Sequence, residues 1–214
     1  MRKLSQEQKF EKAAVIRNQI LGMENIFRHS AVLEDFKKPR NLGWSKIKKE
    51  LQIIFNSSKE ISRVEGYDIS NISGQEATGS MVVFVNGLPD KNEYRQFKIK
   101  TVKQASDVDM LKEVIKRRVK HREWTYPDLM LIDGGKPQLG VVLSVIEYGQ
   151  KITNTLIAAL AKREEELYLP KMASAIKINN LSQSTSSFLK RVRDESHRFA
   201  RRYHHRLRSK SVFS

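Results

Sequence analysis

Cysteine is absent from this chain of 214 residues, which excludes a disulfide framework, a thiolate nucleophile and a zinc site with cysteine ligands. No apolar run approaches the roughly 18 residues of a membrane span, and the first residues lack the apolar core of a signal peptide. We therefore expect a soluble cytoplasmic protein. Acidic residues are scarce, since 24 Asp and Glu face 40 Lys and Arg, for a formal net charge of +16. This excess predicts a polyanionic partner, with nucleic acid as the first candidate.

Two aspartates occur in strand-like segments that are far apart in the sequence. Asp133 follows the apolar run 129–132 and precedes two glycines, whereas Asp68 lies within the β-branched and aromatic segment 64–71. Glycines let a backbone or a phosphate approach closely. Two aspartates on neighbouring strands would supply the hard oxygen ligands that Mg²⁺ and Mn²⁺ prefer. The alternative is that each aspartate only caps a strand end or opens a turn.

The hydrophobic pattern predicts helices and strands that alternate along most of the chain. An amphipathic helix is predicted over 4–28, a linker over 36–44 and a second helix over 45–55. The later elements are three antiparallel strands at 62–70, 77–85 and 94–100, a helix at 107–121, a strand ending at Asp133, a helix at 139–148, a strand at 155–161, a short edge strand at 166–169 and a basic helix at 187–210. This order predicts a mixed sheet with helices on its faces.

Six motifs follow one another between residues 66 and 199. They are GYDIS at 66–70, GSMVVF at 79–84, EYRQFKI at 93–99, LIDGGK at 131–136, AKREEE at 161–166 and RDESHRF at 193–199. Their order resembles the C-terminal half of bacterial UvrC, the incision subunit of the UvrABC nucleotide excision repair nuclease. The FEKAA stretch at 10–14 also resembles the UVR segment through which UvrC engages UvrB.

The resemblance implies an α/β, RNase H-like fold, with three antiparallel strands followed by parallel strands, flanking helices and an N-terminal helical appendage. It divides the chain into a UVR-like helical segment at 1–30 that interacts with UvrB, a linker and helix at 31–60, and an endonuclease domain at 61–214. The implied function is a metal-dependent DNA endonuclease that makes the 5′ incision beside a lesion. The implied partners are damaged double-stranded DNA and UvrB.

The resemblance also assigns residues to the site. Asp68, Asp133 and His197 become metal ligands or catalytic groups for Mn²⁺ or Mg²⁺, and Asp107 becomes a further acid. His197 has three open roles, since it could bind the metal, orient the water or protonate the leaving group. Asp107 has a structural alternative, because an acid in the first turn of a helix is favoured by the dipole and by capping. His197 likewise has one, as a solvated residue of a basic helix.

Basic residues on two predicted helices and beside the glycines are expected to contact DNA phosphates without reading sequence. These are Lys116, Arg117, Arg118, Lys136, Arg198, Arg201 and Arg202. A non-catalytic DNA-binding or UvrB-docking module that keeps the fold is the alternative function. A ribosomal or chromosomal architectural protein would explain the charge but not the Asp-Gly-Gly stretch. Asn71 and Pro137 depart from the family pattern, and both changes leave the expected ligands in place.

Overall fold

The computed structural model describes residues 40–70, 77–100, 106–149 and 154–212. Side chains are described for 43–70, 77–100, 106–147 and 154–201. The chain divides into two compact units, Met1–Ser45 and Lys46–Ser214, and the sheet belongs to the second. The helix predicted over 4–28 lies outside the described residues. No helix in the described part of the chain is long and apolar enough to cross a membrane.

Four helices and eight strands occur within the described residues. In chain order they are α1 (Arg40–Ile54), β1 (Arg63–Ser70), β2 (Thr78–Val85), β3 (Leu88–Pro89), β4 (Arg95–Lys98), α2 (Asp107–Lys120), β5 (Leu129–Asp133), α3 (Lys136–Gly149), β6 (Leu156–Ala161), β7 (Glu166–Tyr168), β8 (Ile176–Lys177) and α4 (Gln183–Val212). Two single turns of 3₁₀ helix, Lys91–Glu93 and Ile178–Asn180, precede β4 and α4.

One mixed sheet holds these strands, in the order β3-β2-β1-β5-β6-β7-β8, with β4 also paired to β2. β1 pairs antiparallel with β2 and parallel with β5, and β5 pairs parallel with β6. The residues of β1 and β5 are almost all buried, as is typical of parallel strands covered on both faces. The predicted sheet of three antiparallel strands followed by parallel strands is confirmed.

The two faces of β1 meet different helices, because successive side chains of a strand point to opposite faces. Glu65 accepts hydrogen bonds from Arg118 of α2. On the other face, a Cβ added to Gly66 would lie 2.6 Å from Val192 Cγ1 of α4. The missing side chain at Gly66 therefore lets α4 pack closely across β1. Asp68 lies on this same face, two residues further along the strand.

Three local predictions differ from the structure. α1 begins at Arg40, inside the predicted linker over 36–44, because residues 40–44 continue the helical turns that follow. β7 was predicted as an edge strand, but β8 pairs with its outer side. β3 and β8 contain two residues each, which is too short to produce a periodic pattern.

Candidate metal centre

Asp68 and Asp133 lie side by side near the carboxyl ends of two neighbouring central strands. β1 and β5 are parallel neighbours, and Tyr67 pairs with Ile132, so the next residue on each strand is one of the two aspartates. α4 brings His197 to the same place. Ligand atoms of Asp68, Asp133 and His197 all lie within 4.8 Å of one another. Three groups that come from distant parts of the sequence thus form one cluster.

Burial and the neighbouring Asp68 raise the pKa of Asp133. Asp68 is only 5% exposed, and the Ser70 hydroxyl donates a hydrogen bond to its Oδ2 atom at 2.8 Å. Burial, followed by the negative charge of Asp68, raises the pKa of Asp133 to about 6, and Arg193 opposes that shift. Two neighbouring buried carboxylates resist simultaneous ionisation unless a cation compensates them. The pair is therefore suited to holding a cation.

The Nδ1 atom of His197 is buried and has no hydrogen-bond partner among the residues that the structure describes. It lies 3.7 Å from Asp68 Oδ2, beyond the length of a normal hydrogen bond. A buried polar atom without a partner is costly, and a neutral imidazole nitrogen is a common metal ligand. Two carboxylates and one imidazole form a donor set that accepts Mn²⁺ or Mg²⁺, with the imidazole favouring Mn²⁺. These residues fit a divalent ion.

The glycines after Asp133 form the turn that leads directly into α3. Gly134 has a φ of +147°, which residues with a side chain rarely adopt. Its N–H donates to the carbonyl of Leu160 at 3.1 Å, and the N–H of Gly135 donates to Gln138 Oε1 at 3.0 Å. A Cβ at Gly134 would lie 2.7 Å from Gln138 Cγ. The turn keeps Asp133 at the mouth of a cleft and leaves no room for a larger residue at 134.

An open cleft of about 520 Å³ contains both aspartates and also Asp107. Asp107 is the first residue of α2 and is exposed. The capping residue is Ser106, whose hydroxyl accepts from the N–H of Asp109 at 3.3 Å. Asp107 is not a member of the three-residue cluster found among the described residues. Its position places it in the cleft as a further acid, and the capping role belongs to Ser106.

One residue of the predicted DNA-binding set, Arg118, is not on the surface. Arg118 is completely buried, and its Nε and Nη2 atoms donate to Glu65 at 3.0 and 2.9 Å. The prediction that it joins an exposed basic patch is wrong, because its side chain turns towards the sheet. Its spacing of three and four residues from the buried Ile115 and Val114 gives the signal, since all three share one face of α2.

The other members of that set vary in exposure. Lys116, Lys136 and Arg201 are exposed. Arg117 is half-buried and donates to the carbonyl of Lys98, while Arg198 forms two hydrogen bonds with Glu195. The side chain of Arg202 lies outside the described ones. These residues remain a prediction as DNA contacts.

Arg193 is a neighbour of the site that sequence reasoning missed. It is buried, its Nε and Nη2 atoms donate to Asp194 Oδ1 at 3.0 and 2.8 Å, and its Nη1 atom has no partner. Its positive charge opposes the rise in the pKa of Asp133, which is smaller than burial and Asp68 alone would make it. The signal was present in the sequence, because residues four apart share a face of a helix and Arg193 lies four residues before His197.

Comparison with known proteins identifies the family. A family model described as UvrC RNAse H endonuclease domain matches residues 52–200. The chain belongs to the UvrC family. A second model, described as UvrB/uvrC motif, matches residues 1–26 and so agrees with the resemblance of that segment.

Named relatives support the same assignment. The UvrABC system protein C of Dictyoglomus thermophilum is 49% identical over 165 residues, which cover 76% of this chain and 27% of that protein. The protein of the same name from Dehalococcoides mccartyi strain BAV1 is 49% identical over 170 residues, which cover 76% and 28%. The chain thus spans about a quarter of the length of these curated relatives.

The UvrC-family chain also has weak likeness to solved structures. The crystal structure of human ENDOV is 17% identical, covers 56% of this chain and 58% of that chain, and gives a TM-score of 0.33. A TM-score this low supports no argument about the site.

Proposed function

We propose that this chain is a divalent-metal-dependent DNA endonuclease that makes the 5′ incision beside a lesion in nucleotide excision repair. The observation that carries the proposal is the convergence of Asp68, Asp133 and His197, whose ligand atoms lie within 4.8 Å of one another in an open cleft. The UvrC RNAse H endonuclease family match over 52–200 supports it.

Asp68, Asp133 and His197 are the residues that would hold Mn²⁺ or Mg²⁺. When bound, such an ion supplies charge neutralisation at a phosphate and a more acidic water. The Ser70 hydroxyl orients the Asp68 carboxylate through its hydrogen bond to Oδ2. The raised pKa of Asp133 leaves it partly protonated in the absence of a cation and ionised in its presence.

The cleft suits a DNA backbone because it is open and belongs to a chain with a formal net charge of +16. Lys116, Lys136 and Arg201 are exposed cations that can neutralise phosphates without reading sequence. Partner binding belongs to a different part of the chain, since the UvrB/uvrC motif match covers 1–26. We assign that segment to UvrB and the cleft to damaged duplex DNA.

The test is nicking of a lesion-bearing duplex that is already cut on the 3′ side and loaded with UvrB. The parent chain is compared with Asp133→Asn and with Glu147→Gln, a matched loss of one carboxylate at an exposed position of α3. We expect a 5′ cut with Mn²⁺ or Mg²⁺ from the parent and the control, and none from Asp133→Asn. DNA binding without any cut by the parent would contradict the proposal and favour a non-catalytic docking module.

A further inference from the structure

The loop between β6 and β7 begins beside the metal centre. β6 runs parallel to β5, and Asp133 pairs with Leu160 in their register. The N–H of Gly134 also donates to the carbonyl of Leu160 at 3.1 Å. β6 ends one residue later, at Ala161. The loop 162–165 therefore starts at the carboxyl ends of the parallel strands, where the two aspartates lie.

This loop places two cations in the cleft. Lys162 and Arg163 are exposed and line the same cleft as Asp68 and Asp133. Within the described part of the chain, neither forms an ion pair or a side-chain hydrogen bond. Lys136, at the start of α3, also lines the cleft, and its Nζ atom donates only to the carbonyl of Ala173 at 3.3 Å.

Two of the three acidic residues that follow these cations, Glu165 and Glu166, have other partners. Lys190 Nζ lies 2.7 Å from Glu165 Oε2, and the Tyr168 hydroxyl donates to Glu166 Oε2 at 2.9 Å. Glu164 is the loop acid that lines the cleft together with the cations. The ion pair with Lys190 ties the loop to α4, the helix that carries His197. The loop is therefore anchored through Glu165, while Lys162 and Arg163 remain available.

An anion that approaches two carboxylates is repelled unless cations lie beside them. Unpaired cations at the rim of such a site attract the charged groups that flank the reacting one. We propose that Lys162 and Arg163 of the β6–β7 loop bind backbone phosphates of the strand that is cut, next to the metal centre. The inference rests on the proposed function, because it takes DNA as the occupant of the cleft. The strand then passes from Asp133 across the loop and the start of α3.

The first test reads DNA binding alone, in EDTA, so that no cleavage occurs. The affinity for a fluorescent duplex is measured by anisotropy as a function of salt for the parent and for Lys162→Gln/Arg163→Gln. Each phosphate contact contributes about 0.9 to the slope of log K against log salt. We expect the slope of the double variant to be smaller in magnitude by about 1.8.

The matched control removes two exposed lysines elsewhere, as Lys49→Gln/Lys91→Gln. An unchanged slope in the loop variant, or an equal reduction in the control, would overturn the proposal. This result does not depend on cutting. A parent that fails to nick DNA therefore argues against the endonuclease, whereas an unchanged slope argues against the loop contact.

The second test locates the loop on the DNA. Because the chain has no cysteine, Arg163→Cys introduces a unique thiol that can carry a photoreactive crosslinker, with Lys49→Cys as the control. We expect crosslinks from position 163 to the damaged strand, within a few nucleotides of the 5′ incision point. Crosslinks mainly to UvrB would overturn the proposal in favour of a protein-binding loop. A DNA yield no higher than the control would also overturn it.

Discussion

His197 Nδ1 lies 3.7 Å from Asp68 Oδ2, and no group in the described part of the chain donates to this buried nitrogen or accepts from it at hydrogen-bond distance. The contact joins the last helix to the first strand of the sheet. Since the two atoms are too far apart for a good hydrogen bond, the space between them suits a third atom that both can bind.

Divalent metal should stabilise the folded chain. An ion that binds only the folded state at 100 times its dissociation constant adds about 2.7 kcal/mol to the free energy of unfolding. We expect Mn²⁺ to raise the melting temperature of the parent and of Glu147→Gln, but not that of Asp68→Asn. Differential scanning calorimetry measures the effect. An equal rise in Asp68→Asn would place the ion elsewhere.

The contribution of Asp133 to the stability of the metal-free chain should fall as pH rises from about 4 to about 6. Asp133 has a pKa of about 6 in the folded chain, against an ordinary value of 3.8, so the folded state holds this proton more tightly across that window. The contribution is fully present below the lower value and is lost as pH passes the higher one. We expect Asp133→Asn to lack this loss, which is on the order of 3 kcal/mol. Urea unfolding in EDTA at several pH values measures it, and a pH-independent difference from the parent would contradict it.

Asp107 should matter more to cutting than to folding. Ser106 performs the capping, so Asp107→Asn removes only a favourable charge from the first turn of α2, worth about 0.3–1 kcal/mol. We expect the nicking rate to fall about 10- to 100-fold, as for outer groups of metal sites. Nicking and urea unfolding of the same preparation separate a role of Asp107 in cutting from a role in stabilising α2. Full activity would leave Asp107 with its dipole role alone.

Arg118 should act on stability and not on DNA. Replacing it with Met removes one of the two arginines that pair with the buried Glu65 and leaves Arg63 as the other, which costs about 1–3 kcal/mol. Lys116→Gln, on the exposed side of the same helix, should change stability little and weaken DNA binding. Thermal unfolding and anisotropy on both variants test this pair. A stable Arg118→Met variant that binds DNA weakly would show that Arg118 contacts DNA after all.

Gly66→Ala should separate α4 from β1. The new methyl group would lie 2.6 Å from Val192 Cγ1, and overpacking of this kind costs about 1–3 kcal/mol. Because α4 also carries His197, nicking should fall as well. Val192→Ala in the same chain should restore part of both losses, so that the double variant costs less than the sum of the single ones. Additive costs would show that the contact is not the cause.

The sequence predicted the parts of the fold that have long, regular patterns. β1, β2, β5 and α2 agree with their predicted ranges within about two residues, because their apolar spacing extends over several positions. β8 was missed because two residues carry no period. The prediction put Arg118 on the surface because it followed the charge of the residue and not its position on the apolar face of α2.

The site was predictable to different degrees. Asp68 and Asp133 could be paired from the residues alone, since Asp133 ends an apolar strand and Asp68 lies within another strand-like segment. The place of His197 depends on how α4 packs across β1, which no local pattern of a basic helix reveals, and it came only from the resemblance to UvrC. Lys162 and Arg163 look like an ordinary charged turn until the register of β5 and β6 places that turn beside Asp133.

The packing of α4 has a consequence for synthesis of the protein. β1 and β5 leave the ribosome before α4, so a nascent chain that has reached only the β6–β7 hairpin carries both aspartates of the cluster but lacks His197. Until α4 emerges, the face of β1 around Gly66 is also uncovered. The metal centre and the cover of that face are therefore completed in one step, by the same helix.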